Sequence, residues 1–177
     1  MQTETETPRA WVGCLGCYNA GKLVGQWVDG IDAGDLTPED LHDGPTECEE
    51  MWVMDHENYA GTIKGECSPS HAAEVAAVLD EVPEHQGHAF AAFVEWYGTD
   101  SDAADTVQAF EDHYTGEWDS PEDYAAELME GSGMLDEVPE HLRYYIDTAA
   151  YARDLFMGDM WSAPAPVSGI YVFRSNA

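Results

Sequence analysis

Apolar positions follow a strand-like spacing in the first third of the chain and a helical spacing over most of the remainder. "AWVGCLGCYN" (10–19) and "LVGQWVDG" (23–30) are rich in aromatic and β-branched residues and predict two strands, with a turn at Asn19 and Gly21 between them. "LTPEDLHD" predicts a short helix, because Thr37 can cap it, Pro38 suits its first turn and Asp40 stands at capping-box distance. "EMWVMDHENYAG" predicts a third strand, with Met51, Val53 and Asp55 on one face and Trp52 and Met54 on the other. The period then changes. "SPSHAAEVAAVLDEV" opens on a Ser-Pro cap and sets Val75, Val78, Leu79 and Val82 on one side, and "HAFAAFVEWYG" continues with Phe90, Phe93, Val94 and Tyr97 before stopping at Gly98. A further helix is predicted over "SDAADTVQAFEDHY" (101–114).

The final third begins with an echo. Gly-x-Trp followed by Ser/Thr-Pro-Glu-Asp occurs at 25–40 and again at 116–123, where Ser120 caps a helix and Asp123 completes its box. The hexamer "DEVPEH" also occurs twice, at 80–85 and 136–141, and is read in both places as the end of one helix and the start of another. "PEHLRYYIDTAAYARDLF" predicts one helix with Leu142, Tyr145, Ile146, Ala149 and Ala152 inward, and "SGIYVF" a closing strand. The expectation is an α+β fold of three small subdomains after a polar tail (1–8): a sheet plus helix (9–64), a helical middle (65–103) and an α+β end (104–177).

Charge changes this picture more than any motif. The 177 residues carry 36 acids against 6 bases, a net charge of −30. With 44% apolar and 11% aromatic residues the chain is composed to fold, not to remain an acidic disordered tail. The bases lie at the two ends: Lys64 and Arg143 bracket 78 residues that contain 20 acids and no lysine or arginine. No apolar run reaches membrane-span length, and the N-terminus lacks the basic and apolar regions of a signal peptide, so a cytoplasmic location is expected, with no membrane partner.

Catalytic patterns fall short. Gly16-x-x-x-x-Gly21-Lys22 approaches a phosphate loop, but Leu23 stands where a metal-binding hydroxyl belongs and a strand follows where a helix is needed. His85-x-x-His88 beside Glu81 and Glu84 could hold a metal, as could His113 among its acids, but the zinc-peptidase order is absent and surface or capping histidines are expected. "DGIDAGDL" misplaces the ligands of a calcium loop. Cys14-x-x-Cys17 has zinc-knuckle spacing, but no second close pair follows and Cys48 and Cys67 stand apart, so the cysteines are read as reduced strand or turn residues. No enzyme, metal or cofactor is expected.

A surface this negative can imitate nucleic acid. Duplex DNA carries one charge per roughly 1.7 Å of axis, so −30 corresponds to about 50 Å, or about 15 base pairs. Helical carboxylates three or four residues apart stand about 5–6 Å apart at Cβ, comparable with neighbouring phosphates. The candidate phosphate mimics are the acids of the base-free stretch: Asp80, Glu81, Glu84, Glu95, Asp100, Asp102 and Asp105, then Glu111, Asp112, Glu117 and Asp119, then Glu122, Asp123, Glu127, Glu130, Asp136, Glu137 and Glu140. Mimicry is not the sole use of such a surface. Acidity can be an adaptation to a salty cytoplasm, or can serve an acidic module for some other basic DNA-binding protein.

The chain also resembles the ArdA antirestriction family. "WVGCLGCYNAGKLVGQWVD" is similar to that family's opening pattern through Val12, Gly13, Tyr18, Asn19, Gly21, Gly25 and Trp27, with Leu15 where an aromatic is usual. "VPEHLRYYIDTAAYARDLFMGDMWS" matches through Pro139, Leu142, Tyr145, Asp147, Ala152, Arg153, Asp154, Leu155 and Gly158, followed by "GIYVF". "LMEGSGMLDEVPE" occupies the place of the family's antirestriction motif. The resemblance implies an elongated homodimer that mimics DNA, blocks the DNA groove of the specificity and methyltransferase subunits of type I restriction-modification enzymes, and binds neither nucleic acid nor cofactor. Tyr18, Asn19, Trp27, Pro139, Tyr145, Asp147, Arg153 and Asp154 are expected to be structural. Arg143 and Arg153 are expected to anchor buried or interface pairs.

Overall fold

The computed structural model describes residues 7–98 and 102–176. Asp100 and most of the predicted polar tail therefore lie outside the described residues. The fold is α+β, and the chain divides into two compact units, Met1–Gln108 and Ala109–Ala177. The expected boundary at residue 64 falls inside the first.

In the first unit β1 (Arg9–Cys14) lies between two antiparallel partners, β2 (Gly25–Asp29) and β3 (Met51–Glu57). The strand predicted over 10–19 ends at Cys14, and Leu15–Asn19 forms a short helix, α1. The reason is local: the Cys14 sulfur accepts the Cys17 N–H (3.4 Å) and so acts as the cap. Gly21, at φ +76°, makes the turn that leads to β2. After β2 a 3-10 turn, Gly30–Asp35, occupies the acidic stretch weighed as a calcium loop. Helix α2 (Pro38–His42) carries the predicted capping box, with the Asp40 carboxylate accepting the Thr37 N–H (2.8 Å) and hydroxyl (2.7 Å).

One face of this sheet holds the core. Ala10, Val12 and Val53 pack with Ala33 of the 3-10 turn, with Tyr59 and Ile63 beyond β3, and with Ala72, Val75 and Ala76 of α3 (Pro69–Leu79). Small alanines on α3 let it lie close to the sheet, while Val78 and Val82, expected inward, are only half-buried. The predicted alternation in β3 fails after Val53. Trp11 pairs with Asp55 and Val12 with Val53, which leaves Met54 as an extra residue, a β-bulge that reverses facing. Asp55 is accordingly exposed, and the His56 ring meets Tyr59 edge-on at 5.7 Å. Helix α4 (Gly87–Tyr97) buries Phe90, Phe93 and Val94 but leaves Tyr97 exposed, its ring stacked on Phe93 at 4.8 Å. Helix α5 (Ala103–His113) contains the division between the units.

The second unit is a sheet of order β4-β6-β5, formed by β4 (Tyr114–Trp118), β5 (Met160–Pro164) and β6 (Ile170–Arg174), all antiparallel. Only β6 is predicted from the sequence. Tyr124 of α6 (Pro121–Gly131) packs with Met160 and Val172 and meets Trp118 at 4.7 Å, and Phe110, Tyr114, Trp161 and Phe173 form an aromatic cluster. The long helix predicted over 139–156 is two: α7 (Glu140–Arg143) and α8 (Thr148–Gly158). Asp147 breaks it by turning its carboxylate onto the Ala150 N–H (2.9 Å), an N-cap that competes with helix continuation. Of the five residues expected inward, Ala152 is buried and Ile146 half-buried, while Leu142, Tyr145 and Ala149 are exposed. Among the described residues no helix is long and apolar enough to cross a membrane.

Candidate partner-binding surface

Seventeen of the eighteen candidate acids lie among the described residues, and all seventeen are exposed. In the first unit Asp80 and Glu81 follow α3, Glu84 opens a 3-10 turn, Glu95 stands on α4, and Asp102 and Asp105 lie at the start of α5. Asp80 and Glu84 border one cleft with Thr7, Pro8, Asn58 and Phe90. Asp102 holds the first turn of α5 by accepting the Ala104 N–H (2.8 Å).

In the second unit Glu111 and Asp112 lie late on α5, Glu117 on β4, Asp119 just before α6, and Asp136, Glu137 and Glu140 along the turns leading into α7. Helix α6 shows how the sequence forces acids outward. At about 100° per residue, Glu122, Asp123, Glu127 and Glu130 span roughly 140° of its circumference, and buried Tyr124, Ala125 and Met129 occupy the opposite arc. The Ser120 hydroxyl donates to the Asp123 carboxylate and its oxygen accepts the Asp123 N–H (3.1 Å), so the acid next to the helix N-terminus is fixed. Glu127 accepts the Trp118 indole N–H at 2.9 Å. Burial, reinforced by the charge of Glu117 and by Tyr171, raises the Tyr114 hydroxyl to about 12, so that phenol stays neutral under an acidic surface.

The segment in the antirestriction position, 128–140, ends α6 and then turns. Gly133 adopts φ +76°, Asp136 N–H bonds the Gly133 carbonyl and Val138 N–H bonds the Leu135 carbonyl. Glu130 and Asp136 border a cleft with Met129, Leu135, Arg143 and Ile146. Arg143 and Arg153 do not anchor buried pairs: both are exposed, neither forms a salt bridge among the described residues, and the Arg143 Nε donates to the Val138 carbonyl (3.1 Å). A guanidinium without a carboxylate partner stays in water because burying an unpaired charge is costly. Asp154 is exposed as well. Of the other motif residues, Tyr18 and Asn19 end α1, with the Tyr18 carbonyl accepting the N–H of Gly21 in the turn that follows, Trp27 lies under the Arg9 guanidinium at 5.6 Å, and Asp147 caps α8. Pro139 precedes α7, and Tyr145 projects outward with Leu142 and Tyr144.

Sequence spacing did not anticipate one cluster. The sulfurs of Cys14, Cys17 and Cys48 and a ring nitrogen of His42 all lie within 4.8 Å of one another, and all four cysteines are free thiols. Burial pushes the Cys14 thiol up, but the Cys17 amide and the His42, Cys48 and Cys17 side chains outweigh it and bring Cys14 down to about 6. The Cys14 sulfur, together with burial and Cys48, raises Cys17 to about 11. In the sequence this grouping shows only as Cys14-x-x-Cys17 and a histidine six residues before Cys48.

No curated protein matches the chain significantly. The model of one protein family, antirestriction protein (ArdA), matches residues 10–164, which takes in both strands around the first turn, the acid-bearing helices and the segment in the antirestriction position. The chain belongs to the ArdA antirestriction family.

Proposed function

We propose that this antirestriction protein acts as a DNA mimic, binding through its acidic faces in the DNA groove of a type I restriction-modification enzyme and contacting the specificity and methyltransferase subunits. The observation that carries the reading is the uniform exposure of the seventeen described acids across a stretch of chain without a base. Carboxylates fixed on rigid helices present charge without the entropy loss of ordering it on binding, and a basic groove built for phosphate supplies the counter-charges. Inhibition requires occupancy alone, so cleavage and modification would both be blocked, with no cofactor and no turnover. Exposed Leu142, Tyr144 and Tyr145 form an apolar patch on the second unit and support a homodimer, which would double the acidic surface offered to the enzyme.

The test is a restriction assay with purified enzyme and rising amounts of the chain over a salt series. Cleavage and methylation are expected to fall together at low salt and to recover steeply as salt rises. Absence of inhibition at low salt, with the fold intact by circular dichroism, would sink the mimic. Unfolding at low salt would instead identify the charge as an adaptation to a salty cytoplasm.

A further inference from the structure

We propose that Cys14, Cys17, His42 and Cys48 bind one zinc ion as a closed tetrahedral structural site. The inference stands apart from DNA mimicry, because these residues lie outside the base-free acidic stretch.

Three thiols and an imidazole are a ligand set zinc takes in structural sites, and ligands of tetrahedral zinc stand about 3.5–3.8 Å from one another. Here the four donor atoms converge to within 4.8 Å, with Cys17 Sγ 3.8 Å from the His42 Nε2. The backbone is already shaped for the ion. Leu15–Asn19 turns the Cys14-x-x-Cys17 loop back on itself, the Cys17 amide points at the Cys14 sulfur, and Gly16 lies beside the cluster, where a Cβ would be in ordinary van der Waals contact with the Cys48 sulfur at 3.7 Å and that of Cys14 at 4.0 Å. His42 is the last residue of α2, where Asp43 in a left-handed conformation (φ 53°) stops the helix and sends the chain on toward Cys48.

The ligands come from three segments: the end of β1 with α1, the end of α2, and the irregular stretch 43–50. That stretch has no helix or strand of its own and carries Asp43, Glu47, Glu49 and Glu50; backbone bonds hold its ends, Gly44 N–H to the Glu39 carbonyl and Leu15 N–H to the Glu50 carbonyl (both 3.0 Å), and a cross-link through Cys48 would fix its middle. Four protein donors fill a tetrahedral shell and leave no position for water or substrate, which assigns the site to structure and not to catalysis. Cys67, which bridges to Val53, takes no part.

The full chain, produced with zinc present and purified under reducing conditions in metal-free buffer, is expected to retain about one zinc per chain by mass spectrometry of the metal. Cobalt(II) in its place is expected to give the intense visible bands of tetrahedral cobalt and thiolate-to-cobalt charge transfer. Cys48→Ser and His42→Gln are expected to lose the metal, and Cys67→Ser to keep it. Removal of zinc by a strong chelator is expected to lower the thermal midpoint of the unsubstituted chain. The cobalt spectrum of the unsubstituted chain decides the matter whether or not the variants fold. A weak octahedral spectrum, as surface carboxylates would give, overturns the proposal. So does a metal-free chain with a Cys14–Cys17 disulfide, or full zinc retention by Cys48→Ser.

Discussion

Buried Tyr59 donates its hydroxyl to the Ala72 carbonyl at 3.2 Å, tying the loop after β3 to α3. Burial, with a smaller push from Cys67, raises its ionisation from 10 to about 12. A folded value above the unfolded one means the contribution is fully present below pH 10 and is lost as pH climbs toward 12. Denaturant unfolding followed from pH 8 upward is therefore expected to show falling stability over that window, and Tyr59→Phe to flatten part of the slope while costing about 1 kcal/mol at neutral pH. Gly30 belongs to the same site. A Cβ there would meet the Tyr59 hydroxyl, the Ala76 methyl at 2.9 Å and the Pro8 carbonyl at 3.0 Å, so Gly30→Ala is expected to cost about 1–3 kcal/mol in the same measurement. At this scale the sequence was legible where one property decided the outcome. Exposure of the acids follows from the cost of burying charge. The grouping of His42 and Cys48 with Cys14 depends on where separate segments converge, and no local spacing encodes that.

Elements repeat the lesson with sharper contrasts. Both Gly-x-Trp tripeptides lie on strands, β2 and β4, and both Ser/Thr-Pro-Glu-Asp sequences start helices, α2 and α6. The hexamer "DEVPEH" adopts one geometry twice: Pro83 and Pro139 have φ/ψ of −55°/134° and −54°/135°, and each proline carbonyl accepts the N–H three residues on, at 2.7 and 2.8 Å. Caps and turns are local chemistry, and local sequence reveals them. Strands β4 and β5 escaped because short edge strands carry little periodicity. The predicted long helix failed because its apolar spacing outvoted Asp147, whose side chain ends the matter at the backbone. Ser120→Ala and Asp147→Ala should each cost about 1 kcal/mol by removing an N-cap, read as a shift in denaturation midpoint with unchanged slope.

The net charge of −30 belongs to the whole chain, and so does its consequence. Neutralising one exposed acid changes little, because a collective field is spread over many groups. Glu122→Gln, Glu127→Gln and Glu130→Gln together strip most of the charge from the outward face of α6 while leaving buried Tyr124, Ala125 and Met129 untouched. The triple variant is expected to keep its fold, weaken inhibition of restriction several-fold at low salt, and show a shallower dependence of inhibition on salt. Unchanged inhibition would move the contact to the other acidic faces. Tyr145→Ala, on the exposed patch, tests the proposed homodimer: it is expected to shift sedimentation from dimer toward monomer without altering the helix content of the chain.

Trp118 gives this surface an optical reporter. Its indole N–H is held by Glu127, one of the carboxylates proposed above to meet a basic partner. An arginine or lysine that pairs with Glu127 must share or displace that hydrogen bond, and the indole would feel the nearby negative charge neutralised. In a variant retaining this tryptophan alone of the six, emission wavelength and quenching would follow docking in real time, with no label attached.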